Sequence, residues 1–293
     1  MRIAVTGATG FVGGAVRRAA EARGWQVHAY GSRSWDITAG PLIDPPVVDA
    51  VVHCAAAVTD WGSPAEIRRV NVSGTRSVLE TFPGARFVHM SSASVYDPFR
   101  PTISAIESTA PVSRYLTAYG ATKAEAEGVV LARPNSVVLR PHAVYGPGDP
   151  TLLPRVLSAI RGRTLFLVGN GQALQSLTSI DNLARASLLA CTGRPGVYNV
   201  ADSSPVVLES ALRDLLRERG LDVRIRYLPL GLAWSLAAMA EPVWRLAGRA
   251  RPPRLTRYAI SHLASERTLD ITAARTRLGY EPAPTSFAGA ATW

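Results

Sequence analysis

Tyr119 and Lys123 lie four residues apart in the stretch YGATK, and Lys123 is the only lysine among the 32 basic residues of the chain. On a helix that spacing puts both side chains on one face. An ammonium is a compact point charge, where a guanidinium is a broad planar fork. Beside a phenol it favours the phenolate, so the pair predicts a lowered Tyr119 pKa and a general acid or base that works near neutral pH. Arginine-biased codon usage also leaves a stray lysine by chance, so the pair gains meaning only if other residues join it. Upstream, HMSSASVY ends a predicted strand with Ser91, Ser92 and Ser94. A serine hydroxyl at the carboxyl end of a parallel strand can hold a substrate carbonyl oxygen, because ligands bind at that edge.

A second group of residues opens the chain. In AVTGATGFVGGAV, Gly7, Gly10 and Gly13 fall between a predicted strand and a predicted helix. Missing side chains let the backbone turn tightly against a pyrophosphate, and the helix N-terminus offers free N–H groups and its positive dipole end. The spacing is G-x-x-G-x-x-G rather than the usual G-x-G-x-x-G, but the strand–turn–helix context is the required one. The second strand ends HAYGSRS, with no acid to hold adenosine ribose hydroxyls. Ser32 and Arg33 stand there instead, and a guanidinium suits a 2′-phosphate. NADP(H) is therefore the expected cofactor, with NAD(H) as the alternative.

These residues need a scaffold. The chain has 293 residues, 47% apolar and 18% charged, enough for a large globular core. Apolar runs such as RIAVTG, WQVHAY, VDAVVHC, ARFVHM and NSVVLRP alternate with helical patterns. That alternation predicts an α/β fold with a doubly wound parallel (Rossmann) sheet. The expected division is a dinucleotide-binding domain over 1–150 and 177–202, and a smaller, mainly helical substrate-binding domain over 151–176 and 203–293. The linker GSRSWDITAGPLIDPP, with Gly40, Pro41, Pro45 and Pro46, predicts no helix between the second and third strands. The segment GLAWSLAAMAEPVWRLAG is apolar but broken by Glu241, Pro242 and Arg245, and too short to span a bilayer. It reads first as a helix lining an apolar cleft, second as a core helix and last as an interfacial helix.

The net charge of +10 comes without a basic block interleaved with aromatics, so nucleic acid is not an expected partner. The densest basic segment, Trp244 to Arg257, could touch an anionic surface or ligand but reads first as solvated loop charge, and membrane contact is not expected. Cys54 and Cys191 sit in apolar runs and read as free thiols of a cytoplasmic protein, consistent with an N-terminus that reads as a strand rather than a secretory leader. No residues have metal-ligand spacing. His53 and His89 are expected to be satisfied core residues, and His142 a candidate for substrate contact.

Taken together, the glycine turn, the serines and the Tyr119-x-x-x-Lys123 pair resemble the extended short-chain dehydrogenase/reductases, the NAD-dependent epimerase/dehydratase group. Further motifs carry the likeness: NVSGT with Asn71, WDI with Asp36 and Ile37, and RPHAVYGPGD. The resemblance implies Ser92, Tyr119, Lys123 and Asn71 as catalytic residues. It implies cofactor contacts from Gly7, Thr9, Gly10, Phe11, Val12 and Gly13, from Ser32, Arg33, Asp36 and Ile37, and from Ala55, Ala56 and Ala57. Ser91, Tyr119, Lys123, Pro141, Ala143 and Val144 complete that set. Substrate contacts are expected from Thr59, Trp61, Ser92, Ala93, Ser94, His142 and Gln175.

Nucleotide-sugar relatives usually carry an arginine where Gln175 stands and an RxGD element, and the dehydratases among them an acidic pair after the catalytic Ser/Thr. None is present here. The ketoreductase and hydroxysteroid dehydrogenase-like branch is the better match. It implies reduction of a ketone or aldehyde of a small, fairly apolar metabolite, in a protein that can form a homodimer. A nucleotide-sugar epimerase with tightly held NAD and a non-enzymatic dinucleotide sensor stay open as alternatives.

Overall fold

The computed structural model describes residues 1–249, 251–253 and 255–293. Six strands form the central sheet: β1 (Arg2–Thr6), β2 (Gln26–Tyr30), β3 (Ala50–His53), β4 (Arg86–Met90), β5 (Ser136–Pro141) and β6 (Gly196–Val200). Their order is β6-β5-β4-β3-β1-β2, and every pairing is parallel. Strands β3, β4 and β5 are buried along their whole length, which is why they read as continuous apolar runs rather than as alternating ones. After β2 the chain crosses back over β1 to start β3. The order of the strands therefore reverses between β1 and β3, and the crevice at their carboxyl ends is the place where such a sheet takes a ligand.

The helices are α1 (Phe11–Ala22), α2 (Pro64–Arg68), α3 (Gly74–Thr81), α4 (Ala118–Leu131), α5 (Leu152–Ala159), α6 (Ile180–Ala190), α7 (Leu208–Glu218), α8 (Leu230–Leu246), α9 (Arg257–Leu263) and α10 (Thr272–Leu278). Helices α1 and α6 cover one face of the sheet, packing Val16 and Leu183 on Ile3, Val5 and Leu139. On the other face Val78 and Val130, from α3 and α4, pack on Val51, Phe87 and Val138. No helix lies between β2 and β3, as the prolines and glycines of that linker predict. Trp35, Ile37 and Val48 of the linker are buried in the same cluster and take the place of a helix.

The remaining region differs from the expected mainly helical domain. It is mixed, with a three-stranded sheet built from Ile160–Arg161, Thr164–Val168 and Arg224–Leu228, and a four-stranded one from Val206–Val207, Leu174–Gln175, Arg267–Leu269 and Thr102–Ala105. Short strands recruit partners wherever an edge is free, so Thr102–Ala105 from the first half pairs with Arg267–Leu269 near the end. In the other direction, Ile271, Ala274, Leu278 and Tyr280 of and around α10 join the main core beside α6. Packing thus crosses the expected boundaries at these two places. Helix α8 is also continuous rather than broken. Glu241 does not interrupt it. The carboxylate is buried and accepts from Arg257 N (2.6 Å), Nε (3.0 Å) and Nη2 (2.8 Å), tying α8 to α9.

Candidate active site

The turn after β1 is shaped by what its glycines lack. Gly7 has φ +66°, and a Cβ there would sit 2.8 Å from Ala55 N. A Cβ on Gly13 would fall 2.2 Å from Gly7 O. Neither contact is tolerable, so only glycine lets the turn close under α1. Helix α1 starts at Phe11 with Gly10 as N-cap, no side-chain cap and no acidic residue in its first turn. The N–H groups of Phe11, Val12 and Gly13 therefore meet whatever lies over the turn, and an anion is the partner that both donors and dipole favour. The donor set and the bare backbone fit a dinucleotide pyrophosphate.

The turn after β2 lies against this one. A Cβ on Gly31 would meet the Thr9 side chain at 2.8 Å. Ser32 and Arg33, next in the chain, are exposed. The other expected adenine-side residues are less free. Asp36 Oδ1 accepts from Thr38 N (2.9 Å) and Thr38 Oγ1 (2.8 Å), which holds its carboxyl below the usual range. Ile37 is buried over Gly74, where a Cβ would meet its Cδ1 at 2.6 Å. Its side chain belongs to the core rather than to an open groove. Beyond β3, Ala55, Ala56 and Ala57 are half-buried, with Ala55 N donating to Thr6 Oγ1 at 3.3 Å.

The catalytic candidates meet where α4 starts beside the end of β4. Thr117 Oγ1 caps α4 by accepting from Gly120 N. Ser92 opens a tight turn over Ala93–Val95, its Oγ accepting from Ser94 N at 3.1 Å and donating to Ser94 Oγ at 3.0 Å. Gly120 allows the two to touch, since a Cβ there would lie 2.8 Å from Ser94 O. Tyr119 is buried beside this turn, close enough to Ser92 for that hydroxyl to favour its ionised form. Lys123, one turn further on, is buried and donates Nζ to Met90 O at 2.7 Å, with Nζ 6.0 Å from the Tyr119 ring centre.

One expectation is overturned here. The Tyr119 pKa is raised rather than lowered, chiefly by burial, with Tyr258 adding to the rise and Ser92 opposing it. Burial acts on the lysine as well, bringing it down to about 8. The ammonium is aimed at a backbone carbonyl, so its field on the phenol does not offset desolvation.

Two other expected roles move. Asn71 lies in a single π-turn, Arg69–Ser73. Its side chain accepts from Ala57 N (2.7 Å) and donates to Ala57 O (3.3 Å) and Thr122 Oγ1 (3.1 Å). It fastens the loop after β3 to α4. Ser91 is turned into the interior, donating to Glu127 Oε1 at 2.5 Å rather than facing the cofactor crevice. Glu127 is in turn held by Arg140 Nε (2.9 Å) and Nη2 (2.7 Å), both side chains being 1% exposed.

On the substrate side, Thr59 Oγ1 donates to Trp61 O at 2.6 Å, and Trp61 Nε1 donates to Arg249 O at 2.9 Å, closing the loop after β3 on the end of α8. Gln175 is buried with its amide committed to Ser265 O (2.9 Å). Ala143 has φ +45°, a conformation a residue with a Cβ adopts only when its surroundings impose it, next to buried Pro141 and half-buried Val144.

His142 Nδ1 faces Ser176 O at 2.8 Å and must carry the proton, so Nε2 accepts from His262 Nδ1 at 3.2 Å. Burial brings His142 down to about 4, and both imidazoles stay neutral. His53 is satisfied by Thr6 Oγ1 (2.7 Å) and Thr75 Oγ1 (2.9 Å). His89 is not the satisfied residue expected, for neither ring nitrogen has a partner among the described residues.

The sequence reading missed Tyr258. Its hydroxyl lies 2.9 Å from Ser94 Oγ, and its ring packs on His262 with centres 4.4 Å apart. Tyr258 and His262 repeat the i, i+4 spacing of Tyr119 and Lys123, which was the available signal. The site thus carries a run of hydroxyls, Ser92 to Ser94 to Tyr258, beside the buried Tyr119.

A glycine turn at the switch point of a parallel sheet, with buried Tyr119 and Lys123 and half-buried Ser92 at its edge, defines an oxidoreductase of the short-chain dehydrogenase type that uses a nicotinamide dinucleotide. Residues 3–201 match the model of the NAD dependent epimerase/dehydratase family, and the chain belongs to that family. It is 33% identical over 307 residues to the 4-hydroxy-2-methyl-3-oxo-4-farnesyl-3,4-dihydroquinoline-1-oxide ketoreductase of Stigmatella aurantiaca, covering 96% of this chain and 92% of that one. It is 31% identical over 315 residues to the 2-alkyl-3-oxoalkanoate reductase of Shewanella oneidensis, covering 94% and 81%. Among solved structures, MoeE5 in complex with UDP-glucuronic acid and NAD superimposes with a TM-score of 0.75 at 26% identity, over 100% of this chain and 97% of that one.

Among the described residues, no helix is long and apolar enough to cross a membrane.

Proposed function

We propose that this protein is an NADP(H)-dependent reductase of a ketone that carries a second oxygen function close by and a sizeable hydrocarbon substituent. The observation that carries the reading is buried Tyr119 at the start of α4, which Gly120 lets close against the Ser92–Ser94 turn at the mouth of the sheet. Ser92 holds the carbonyl oxygen. Tyr119, kept protonated by its burial, donates the proton that oxygen needs as the carbon is reduced. Lys123 supplies positive charge behind the phenol as the proton leaves, and is placed to hold the ribose hydroxyls of a cofactor. The dinucleotide, when bound, supplies the hydride. Arg33, exposed beside the glycine turn, is the residue that would recognise a 2′-phosphate.

The second oxygen function falls to Tyr258 and Ser94. Support comes from the two reductases named above, one acting on a 4-hydroxy-3-oxo ring and the other on a 3-oxoalkanoate, each with an oxygen function near the ketone. The buried, backbone-bound Gln175 argues against the nucleotide-sugar alternative, since a sugar-nucleotide diphosphate would find no arginine there. The two free thiols suit a cytoplasmic setting.

The test is NADPH consumption with a panel of 2-alkyl-3-oxo acids, α-hydroxyketones and plain ketones. Oxygen-flanked ketones should turn over fastest. Tyr119→Phe should lower kcat about a hundredfold or more, and Tyr258→Phe should raise KM for flanked ketones while leaving plain ones unchanged. Undiminished turnover by Tyr119→Phe, or conversion of UDP-sugars in preference to ketones, would overturn the reading.

A further inference from the structure

The outer face of α8 is apolar and uncovered. Leu232, Leu236, Met239, Val243 and Leu246 are 51%, 44%, 64%, 57% and 90% exposed. They recur every three or four residues, so they form one stripe along the helix, which at 1.5 Å per residue is about 25 Å long. The opposite face, with Ala233, Ala237 and Glu241, is the buried one.

The charge around the stripe is one-sided. Between residues 224 and 257 the sequence has seven arginines and a single acid, Glu241, which is buried and bound by Arg257. Arg224 and Arg226 precede the helix, Arg249 and Arg251 follow it, and all four are exposed.

We propose that α8 is an in-plane docking helix for an anionic lipid surface, its leucine–methionine–valine stripe entering the acyl boundary and its flanking arginines meeting lipid phosphates. An apolar stripe with basic flanks and no exposed acid is the pattern of a helix that lies in a membrane interface without crossing it. A second copy of the chain is the weaker occupant. A two-fold contact through this stripe would set its arginine-rich flanks near one another, and Asp222, the exposed acid beside Arg224, is already paired with Arg163. The inference takes up the reading ranked last for this segment, although membrane contact is not expected from the sequence, because exposure, not composition, distinguishes a stripe facing out from one facing a core. It does not depend on the substrate.

The experiment is co-sedimentation of the full-length protein with phosphatidylcholine vesicles with and without phosphatidylglycerol. The variants are the double substitution Leu236→Ser with Met239→Ser, and separately Arg224→Gln with Arg226→Gln. Wild type should sediment with the anionic vesicles, and each double variant should lose about tenfold in partitioning while keeping its circular dichroism and melting temperature. Equal binding by the serine variant would reduce the association to adsorption by net positive charge and overturn the proposal. So would a dimer in light scattering that the serine variant abolishes, which would assign the stripe to a second copy.

Discussion

Two buried charges stand one turn apart on the same face of α4, and they are handled in opposite ways. Glu127 has a full set of partners: Arg140 grips both its oxygens and Ser91 donates to one of them. Arg140 also reaches Glu107 O at 2.7 Å and Ala110 O at 3.3 Å, joining α4 and β5 to the loop between β4 and α4. Lys123 has only a neutral partner, Met90 O, and its pKa falls to about 8. That drop corresponds to roughly 3 kcal/mol by which the interior disfavours its charge. The end of the helix that lies away from the crevice is built for stability. The end at the crevice keeps a charge the fold itself does not satisfy, which is the condition expected of a group awaiting an anionic or hydroxyl-bearing ligand.

The comparison can be broken at either end. Glu127→Gln should cost the most, about 3–5 kcal/mol in urea unfolding, because it strands a buried guanidinium. An unfolding midpoint equal to wild type would show the pair to be dispensable. Gly120→Ala comes next, since its Cβ must displace Ser94 O. A cost of about 1–3 kcal/mol is expected, together with a fall in kcat as the Ser92 turn moves off Tyr119. Retention of full kcat would mean the turn yields elsewhere.

Lys123→Met should be the opposite of Glu127→Gln. Reductase activity should drop while thermal stability holds or rises by up to about 3 kcal/mol. A loss of stability as large as that of Glu127→Gln would make Lys123 a structural charge and remove the contrast. The smallest effect is also the sharpest. The folded pKa of about 8 lies below the unfolded value near 10.4, so between them the unfolded chain binds more protons and wild-type stability rises with pH. Relative to Lys123→Met, wild type should gain about 1.4 kcal/mol per pH unit over that window. Urea titrations at pH 7, 8, 9 and 10 measure it, and parallel curves for the two proteins would refute it.

Much of this molecule can be read from local pattern. Strand and helix types, the missing helix after β2, the glycine turn and the i, i+4 geometry of Tyr119 with Lys123 follow from periodicity, steric need and spacing, which neighbours in sequence decide. The family likeness rests on the same short motifs. Ser91 and Ser92 show the limit. They are adjacent serines at a strand end, alike in type, yet one turns inward to Glu127 and the other caps the turn to Ser94.

What tertiary structure alone decided concerns partners distant in the chain. Tyr258 reaches Ser94 from 164 residues away, Arg140 finds Glu127 across a strand–helix interface, and Thr102–Ala105 pairs with Arg267–Leu269. Burial likewise set the sign that spacing misjudged, raising Tyr119, and lowered Lys123, while exposure turned the α8 stripe outward. Local steric and hydrogen-bonding rules act over a few residues and are written in the order of the side chains. Desolvation and long-range pairing depend on what the folded chain brings near, and no window of sequence contains that.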